Sequence, residues 1–389
     1  MPQSRILKAG DQVPTTPIHQ PPFVDSRTDS PEPQFQCNER SPIFADTTGD
    51  DASPWRIMDG NMRSVLVTGG AGFIGSHLVD LLLAEGGWMV TVLDNFDPFY
   101  DRSIKEENIA QHRNDPRFRL VEADLLAPDL DDRIGTERFD VIVHLAAKAG
   151  VRPSIDDPCA YLQVNVVGTQ RLMDYARRSG VQRFILASSS SVYGECPNVP
   201  WKEAEQALLP ISPYAASKLA AEQLAHIHSR LHGLHTTVLR FFTVYGPRQR
   251  PDLAIHQFTG KMLSGLPIRQ FGDGTTQRDY TYIEDIIAGV RTAMERSSGQ
   301  QYEVYNLGNS STVALSELIK ALEQELRTAP VIERFPEQPG DVPRTFADVT
   351  KAGSHLDFVP RTPLQVGLSQ FCAWYGRRSN TSYSVDRTS

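Results

Sequence analysis

The sequence predicts an α/β fold, a doubly wound parallel sheet, and three observations point there. From Arg63 onward, short apolar runs alternate with stretches of helical periodicity. The first apolar run passes directly into spaced glycines that open a helix. A second ends at Asp94, about twenty residues past those glycines.

The stretch Ser64 to Leu78 carries the first signal. Val65, Leu66 and Val67 are apolar without a break, as in a strand buried on both faces. Gly69-x-x-Gly72-x-x-Gly75 follows, and then Phe73, Ile74, Leu78, Leu81 and Leu82 fall at helical spacing. Strand, glycine turn and helix together suggest dinucleotide binding, since glycines admit a pyrophosphate to the backbone and the helix start receives its charge. An ordinary tight turn would share the glycines. Trp88 to Leu93 is a second buried strand, and Asp94 beyond it suits an adenosine ribose diol. With no cation expected nearby, a 2′-phosphate would be repelled, which favours NAD over NADP.

Residues 1–61 carry nine prolines among Ser, Thr, Asp and Gln with no sustained periodicity, and are expected to be a disordered N-terminal extension. With 40% hydrophobic residues over its 389 positions, the chain can bury a full core. A net charge of −8 argues against nucleic acid or an anionic membrane as a general partner. Cys37, Cys159, Cys196 and Cys372 lack paired or metal-ligand spacing, so a reduced, metal-free cytoplasmic protein is expected. No apolar run reaches membrane-spanning length.

Further strands are expected at Phe118 to Glu122, Phe139 to His144, Arg183 to Ala187 and Thr237 to Phe242, with a helix over 103–114 and one long helix over Cys159 to Ser179. Past Leu253, Phe258 and Lys261 are placed on a helix, Phe271 to Gly274 on a turn, Arg278 to Tyr282 on a short strand and 283–296 on a helix. Arg250 and Arg278 are cations suited to bidentate oxyanion binding, although either alone could be a solvated surface residue.

Ser212-Pro213-Tyr214-Ala215-Ala216-Ser217-Lys218 opens a helix with a Ser cap and Pro in its first turn. Tyr214 and Lys218 share one helix face. A phenol of pKa ~10 is a weak base at neutral pH, and a neighbouring ammonium is expected to lower that value. A serine from the preceding strand end could bind the same substrate oxygen and pass its proton to Tyr214.

With the glycine motif, the Ser run before Val192-Tyr193-Gly194 and the Tyr214/Lys218 pair in this order, residues 63–376 resemble the extended short-chain dehydrogenase/reductase family. The resemblance implies a Rossmann domain and a smaller C-terminal domain that binds a nucleotide-sugar. Residues 62–250 would be mainly the first, 251–377 mainly the second with the chain crossing between them, and 378–389 a flexible tail. By likeness, NAD would be held by Gly69, Gly72, Phe73, Ile74, Gly75, Asp94, Asn95, Asp124, Leu125, Leu145, Ala146, Ala147, Lys148, Asn165, Tyr214 and Lys218. Ser189, Tyr214 and Lys218 would be catalytic. Arg152, Ser189, Ser190, Thr243, Arg250, Phe258, Arg278 and Asp341 would face the sugar nucleotide, and a homodimer is implied.

Within the family, Ser190-Ser191 stands where hexose dehydratases usually carry Asp-Glu, and Ser191 where decarboxylases typically have Glu. Thr243 replaces the Asn common in UDP-glucose 4-epimerases. The runs 149–154, 241–252, 272–282 and 338–343 look most like those of UDP-glucuronate 4-epimerases, with Lys148 and Pro153 as departures. The activity implied is C4 inversion through a 4-keto intermediate. UDP-glucose epimerisation, a decarboxylating or dehydrating lyase, and a non-catalytic NAD-binding regulator are the alternatives.

Overall fold

The computed structural model describes residues 62–296, 299–337 and 340–385, with side chains through Arg378. The expectation of disorder for residues 1–61 falls outside these residues, as do the end of the tail and residues 338–339.

In the first half, strands β1 (Arg63–Thr68), β2 (Trp88–Asp94), β3 (Phe118–Glu122) and β4 (Val141–His144) alternate with helices α1 (Phe73–Glu85), α2 (Arg102–Ile109) and α3 (Leu130–Ile134). Next come α4 (Val151–Asp156), α5 (Pro158–Leu162), α6 (Thr169–Arg178), β5 (Arg183–Ser189), α7 (Pro213–His232) and β6 (His235–Phe241). The rest supplies β7 (Thr243–Tyr245), α8 (Ala254–Leu263), β8 (Ile268–Phe271), β9 (Gln277–Arg278), β10 (Tyr280–Tyr282), α9 (Ile283–Glu295) and β11 (Tyr302–Leu307). It ends with β12 (Val313–Ala314), α10 (Leu315–Leu326), β13 (Ile332–Phe335), α11 (Thr350–Leu356) and α12 (Leu364–Val385).

Seven of these strands form one parallel sheet in the order β11-β6-β5-β4-β1-β2-β3. Val65 and Val67 face one core layer and Leu66 the other, all fully buried, which is why β1 reads as an unbroken apolar run. Truncating such a side chain to Ala typically costs about 2–5 kcal/mol. Strand order reverses between β1 and β4, and in open α/β sheets that crevice at the carboxyl ends of the strands receives ligands.

Several expected boundaries shift for physical reasons. The helix expected at 159–179 is divided into α5, a π-helical turn over Gln163–Gly168 and α6, and within that turn the Asn165 side chain accepts the Lys148 N–H. Strand β6 stops at Phe241, and Thr243–Tyr245 leaves the sheet to pair with β10. The strand expected at 278–282 is split at Asp279, whose fully buried carboxyl accepts the Asn309 and Ala347 N–H groups and the Thr281 hydroxyl. The Phe271 end of the expected turn belongs to β8. Helical backbone continues through Val385 into the segment expected as tail, since propagation needs no new nucleus. No helix among the described residues is long and apolar enough to cross a membrane.

Candidate active site

The glycines of the first turn are required by what lies against them. A Cβ on Gly69, whose φ is +69°, would stand 2.8 Å from the Ala146 amide nitrogen at the end of β4. On Gly75 it would fall 2.3 Å from the Gly69 carbonyl oxygen. Gly72 caps α1 without a side chain, so the N–H groups of the first turn face outward toward the strand ends. The turn is therefore a cradle shaped for a flat or phosphorylated group, and its residues fit a dinucleotide.

Asp94 ends β2 on the cavity wall and accepts hydrogen bonds from the Ala71 and Phe96 amides at 3.1 and 2.9 Å. The expectation that no cation lies nearby is overturned: Lys105 folds back on α2 and its Nζ lies 3.7 Å from Asp94. That ammonium weakens the electrostatic argument against a 2′-phosphate and leaves the hydrogen-bonding one. Beside it, Asn95 Nδ2 donates to Asp124 Oδ2 at 2.7 Å. Past β4, Leu145, Ala146 and Ala147 line the cavity, and Lys148 forms an ion pair with Asp97 at 3.3 Å.

The third group of residues sits where β5 meets α7. Ser212 caps α7 by accepting the Ala215 N–H, which starts the helix so that Tyr214 and Lys218 both reach the cavity. Ser189 lies at the end of β5, and its hydroxyl pulls the Tyr214 phenol down. Burial dominates nevertheless and raises the phenol above its ordinary value, with Ser189 and Arg250 opposing. The expected pull of Lys218 on Tyr214 is not found. Lys218 Nζ is directed to the Ala187 carbonyl at 2.8 Å, and burial draws the amine down to about 8 against the field of Glu222.

Thr243, Arg250, Phe258 and Arg278 line the cavity as well, with Arg250 near enough for its charge to act on the Tyr214 phenol. Arg250 donates through Nε and Nη2 to both carboxylate oxygens of Asp252, at 2.9 and 2.6 Å. Arg278 Nη1 donates to its neighbour's carbonyl, Gln277 O, at 2.9 Å, and Arg152 pairs with Asp341 at 2.9 Å while lying over the Phe271 ring. The cavity measures about 1240 Å³ and runs from the glycine turn to these cations. Pockets for one drug-sized ligand span roughly 300–1,000 Å³, so this one has room for two ligands end to end.

Three of the residues expected to touch ligand do not line the cavity. Gly72 is the first of them. Ser190 is buried in the turn after β5. Asn165 is 2% exposed, and its amide is engaged with Lys148 N and O and with Ser217 Oγ, so it holds the segment after β4 in place. Conversely, Asp97, Phe99, Tyr100, Lys105, Tyr161 and Asp252 are on the wall without having been singled out. Aromatic residues concentrated in the loop after β2 were the available signal, because an apolar loop needs something to cover.

Comparison with known proteins agrees with this geometry. The model of the NAD-dependent epimerase/dehydratase family matches residues 65–308. UDP-glucuronate 4-epimerase 4 of Arabidopsis thaliana is 39% identical over 338 residues, covering 82% of this chain and 77% of that protein. The crystal structure of UDP-glucuronic acid 4-epimerase from Bacillus cereus, in complex with UDP-glucuronic acid and NAD, superposes with a TM-score of 0.77. Its sequence is 35% identical, with coverage of 81% and 99% of the two chains. MoeE5, crystallised with NAD and either UDP-glucuronic acid or UDP-glucose, is 37% identical, with TM-scores of 0.73 and 0.72 and the same coverage.

Proposed function

This chain belongs to the NAD-dependent epimerase/dehydratase family, and from that premise we propose that it is an NAD-dependent UDP-glucuronate 4-epimerase, interconverting UDP-glucuronate and UDP-galacturonate. The observation that carries the reading is the convergence of Ser189, Tyr214 and Lys218 on one wall of a cavity that continues from the glycine turn to Thr243 and Arg250.

Gly69, Phe73, Ile74 and Gly75 would hold NAD, with Asp94 at its adenosine ribose, and the cofactor would supply the hydride acceptor. Tyr214 Oη takes the proton of the sugar's C4 hydroxyl, and Ser189 Oγ bonds the same oxygen. Burial raises the phenol, and Ser189 and Arg250 act against it in favour of the base form. After the 4-keto ring turns about its diphosphate, Tyr214 returns the proton to the oxygen as C4 is reduced from the other face. Thr243 and Arg250 hold the carboxylate out of the orientation that would let this β-keto acid lose CO₂. Arg278 meets the diphosphate.

The chain is read as a homodimer. Leu162 and Val167 lead into α6, Ile227 and Leu231 lie one turn apart on the neighbouring α7, and all four are between 42% and 70% exposed. Covering them with a second copy removes apolar surface from water. Light scattering that returned a monomer at micromolar concentration would count against it.

A second reading, epimerisation of UDP-glucose, is favoured by one observation: Arg250 is already neutralised by Asp252, so the site does not demand an anionic sugar. NMR analysis of products from UDP-glucuronate and UDP-glucose separates the two. UDP-galacturonate as the main product is expected. Preferential conversion of UDP-glucose, or formation of a pentose, would replace the reading.

A further inference from the structure

Behind the catalytic wall lies an ion pair withdrawn from water. Glu222 on α7 is 1% exposed and Arg240 on β6 is 3% exposed. Arg240 Nη2 reaches Glu222 Oε2 at 2.7 Å, and its Nε reaches Oε1 at 3.0 Å. Oε1 also accepts the Ser188 hydroxyl at 2.5 Å. Arg240 Nη1 donates to the Tyr193 hydroxyl, which donates in turn to Asn306 Oδ1, so the arginine is held from both ends.

Buried ion pairs are poor stabilisers in general, because desolvation offsets the attraction, so this one's location needs another reason. Glu222 lies one turn beyond Lys218 and two turns beyond Tyr214, on the same face of α7. Its bond to Ser188 and the bond from Lys218 Nζ to Ala187 O grip two successive residues of β5, directly before Ser189.

We propose that Glu222, oriented by Arg240, is a positioning residue: it fixes the end of β5 through Ser188 so that Ser189 meets Tyr214, and its negative charge keeps Lys218 an ammonium. The electrostatics agree. Burial lowers the Lys218 amine, and Glu222 is the charge that raises it. Of the other titratable groups near it, His144 on β4 is held neutral by burial, down to about 3, and Tyr214 is an un-ionised phenol. Neither can take the place of the carboxylate.

The inference rests on the reading of Tyr214 and Lys218 as the proton-handling pair, and its first test does not depend on the substrate. In full-length enzyme labelled with ¹⁵N-lysine and loaded with NAD, the Lys218 Nζ signal, identified by its loss in Lys218→Met, is titrated. Glu222→Gln keeps one acceptor for Ser188, removes the charge and gives up one of the two acceptors that hold Arg240. Its titration midpoint is expected to fall by roughly one pH unit or more. The alkaline limb of kcat should move with it while KM stays within about twofold of wild type, as a change in proton affinity alone implies. Ser188→Ala should lower kcat and leave the midpoint in place. An unchanged midpoint in Glu222→Gln, or a loss of kcat equal at every pH, overturns the proposal. Should Glu222→Gln fail to fold, the same titration is made on Glu222→Gln combined with Arg240→Met, which leaves no unpaired charge. A lowered midpoint there supports the role, and an unchanged midpoint or a second failure to fold overturns it. If no UDP-sugar is epimerised at all, the functional reading falls while the titration still decides this one.

Discussion

Removing the Arg250 guanidinium changes the sugar end of the cavity in two ways. It takes away a donor for a substrate carboxylate, and it strips Asp252 of the partner that now holds both its oxygens at 2.9 and 2.6 Å. Because Nε and Nη2 face Asp252, with Nη2 also 3.4 Å from Ala149 O, the arginine approaches a uronate through Nη1. One charge-assisted hydrogen bond contributes about 1.5–3 kcal/mol, or roughly ten- to 150-fold in kcat/KM. In Arg250→Ala the bare Asp252 carboxylate then repels the uronate as well, and a neutral hexose feels little of this. Activity on UDP-glucuronate should therefore fall to the far end of that range, and activity on UDP-glucose much less. Adding Asp252→Ala should recover the repulsive part on the uronate. The assay is kcat/KM on both sugars by chromatographic separation of the epimers, with released CO₂ collected. Equal slowing on both sugars, or no recovery in the double variant, would refute the reasoning.

Tyr214→Phe removes the base with little change in volume, so kcat should drop on the order of 10²–10⁴-fold while binding of the UDP-sugar, followed by calorimetry, stays close to wild type. Gly75→Ala places a Cβ 2.3 Å from Gly69 O and 2.7 Å from Gly70 Cα, backbone atoms that cannot step aside. It should weaken NAD binding at least tenfold and destabilise the fold by about 1–3 kcal/mol, and an unaltered NAD affinity would show that the turn does not hold the cofactor. Lys218→Met should abolish turnover yet stabilise the apoprotein at neutral pH. The folded amine titrates at about 8 against 10.5 in the unfolded chain, so the fold bears the full cost of the buried ammonium below pH 8 and sheds it between pH 8 and 10.5. That cost is about 3 kcal/mol, less about 1 kcal/mol for the bond to Ala187 O, and the gain should vanish toward the alkaline end of a thermal-unfolding series.

The elements legible from sequence are those whose cause is local. Val65, Leu66 and Val67 had to be apolar together because a central parallel strand is buried on both faces, and Gly69 and Gly75 had to lack a Cβ because backbone crosses at both points. Tyr214 and Lys218 share a face by helical geometry alone, and the structure sets both on the cavity wall. What only the tertiary structure decided depends on residues brought together across long stretches of chain. Strand β11 joins the sheet from residue 302 through pairing with β6, and no local pattern announces that partner. Lys105 returns to Asp94, and Asn165 turns its amide on Lys148 when a helix could have carried it to the cavity. Asp252 occupies Arg250, and Glu222 finds Arg240 eighteen residues away on another element. Desolvation is also a property of the assembled fold: the Tyr214 phenol is raised because the whole site encloses it, a sum over neighbours that spacing along a chain does not contain.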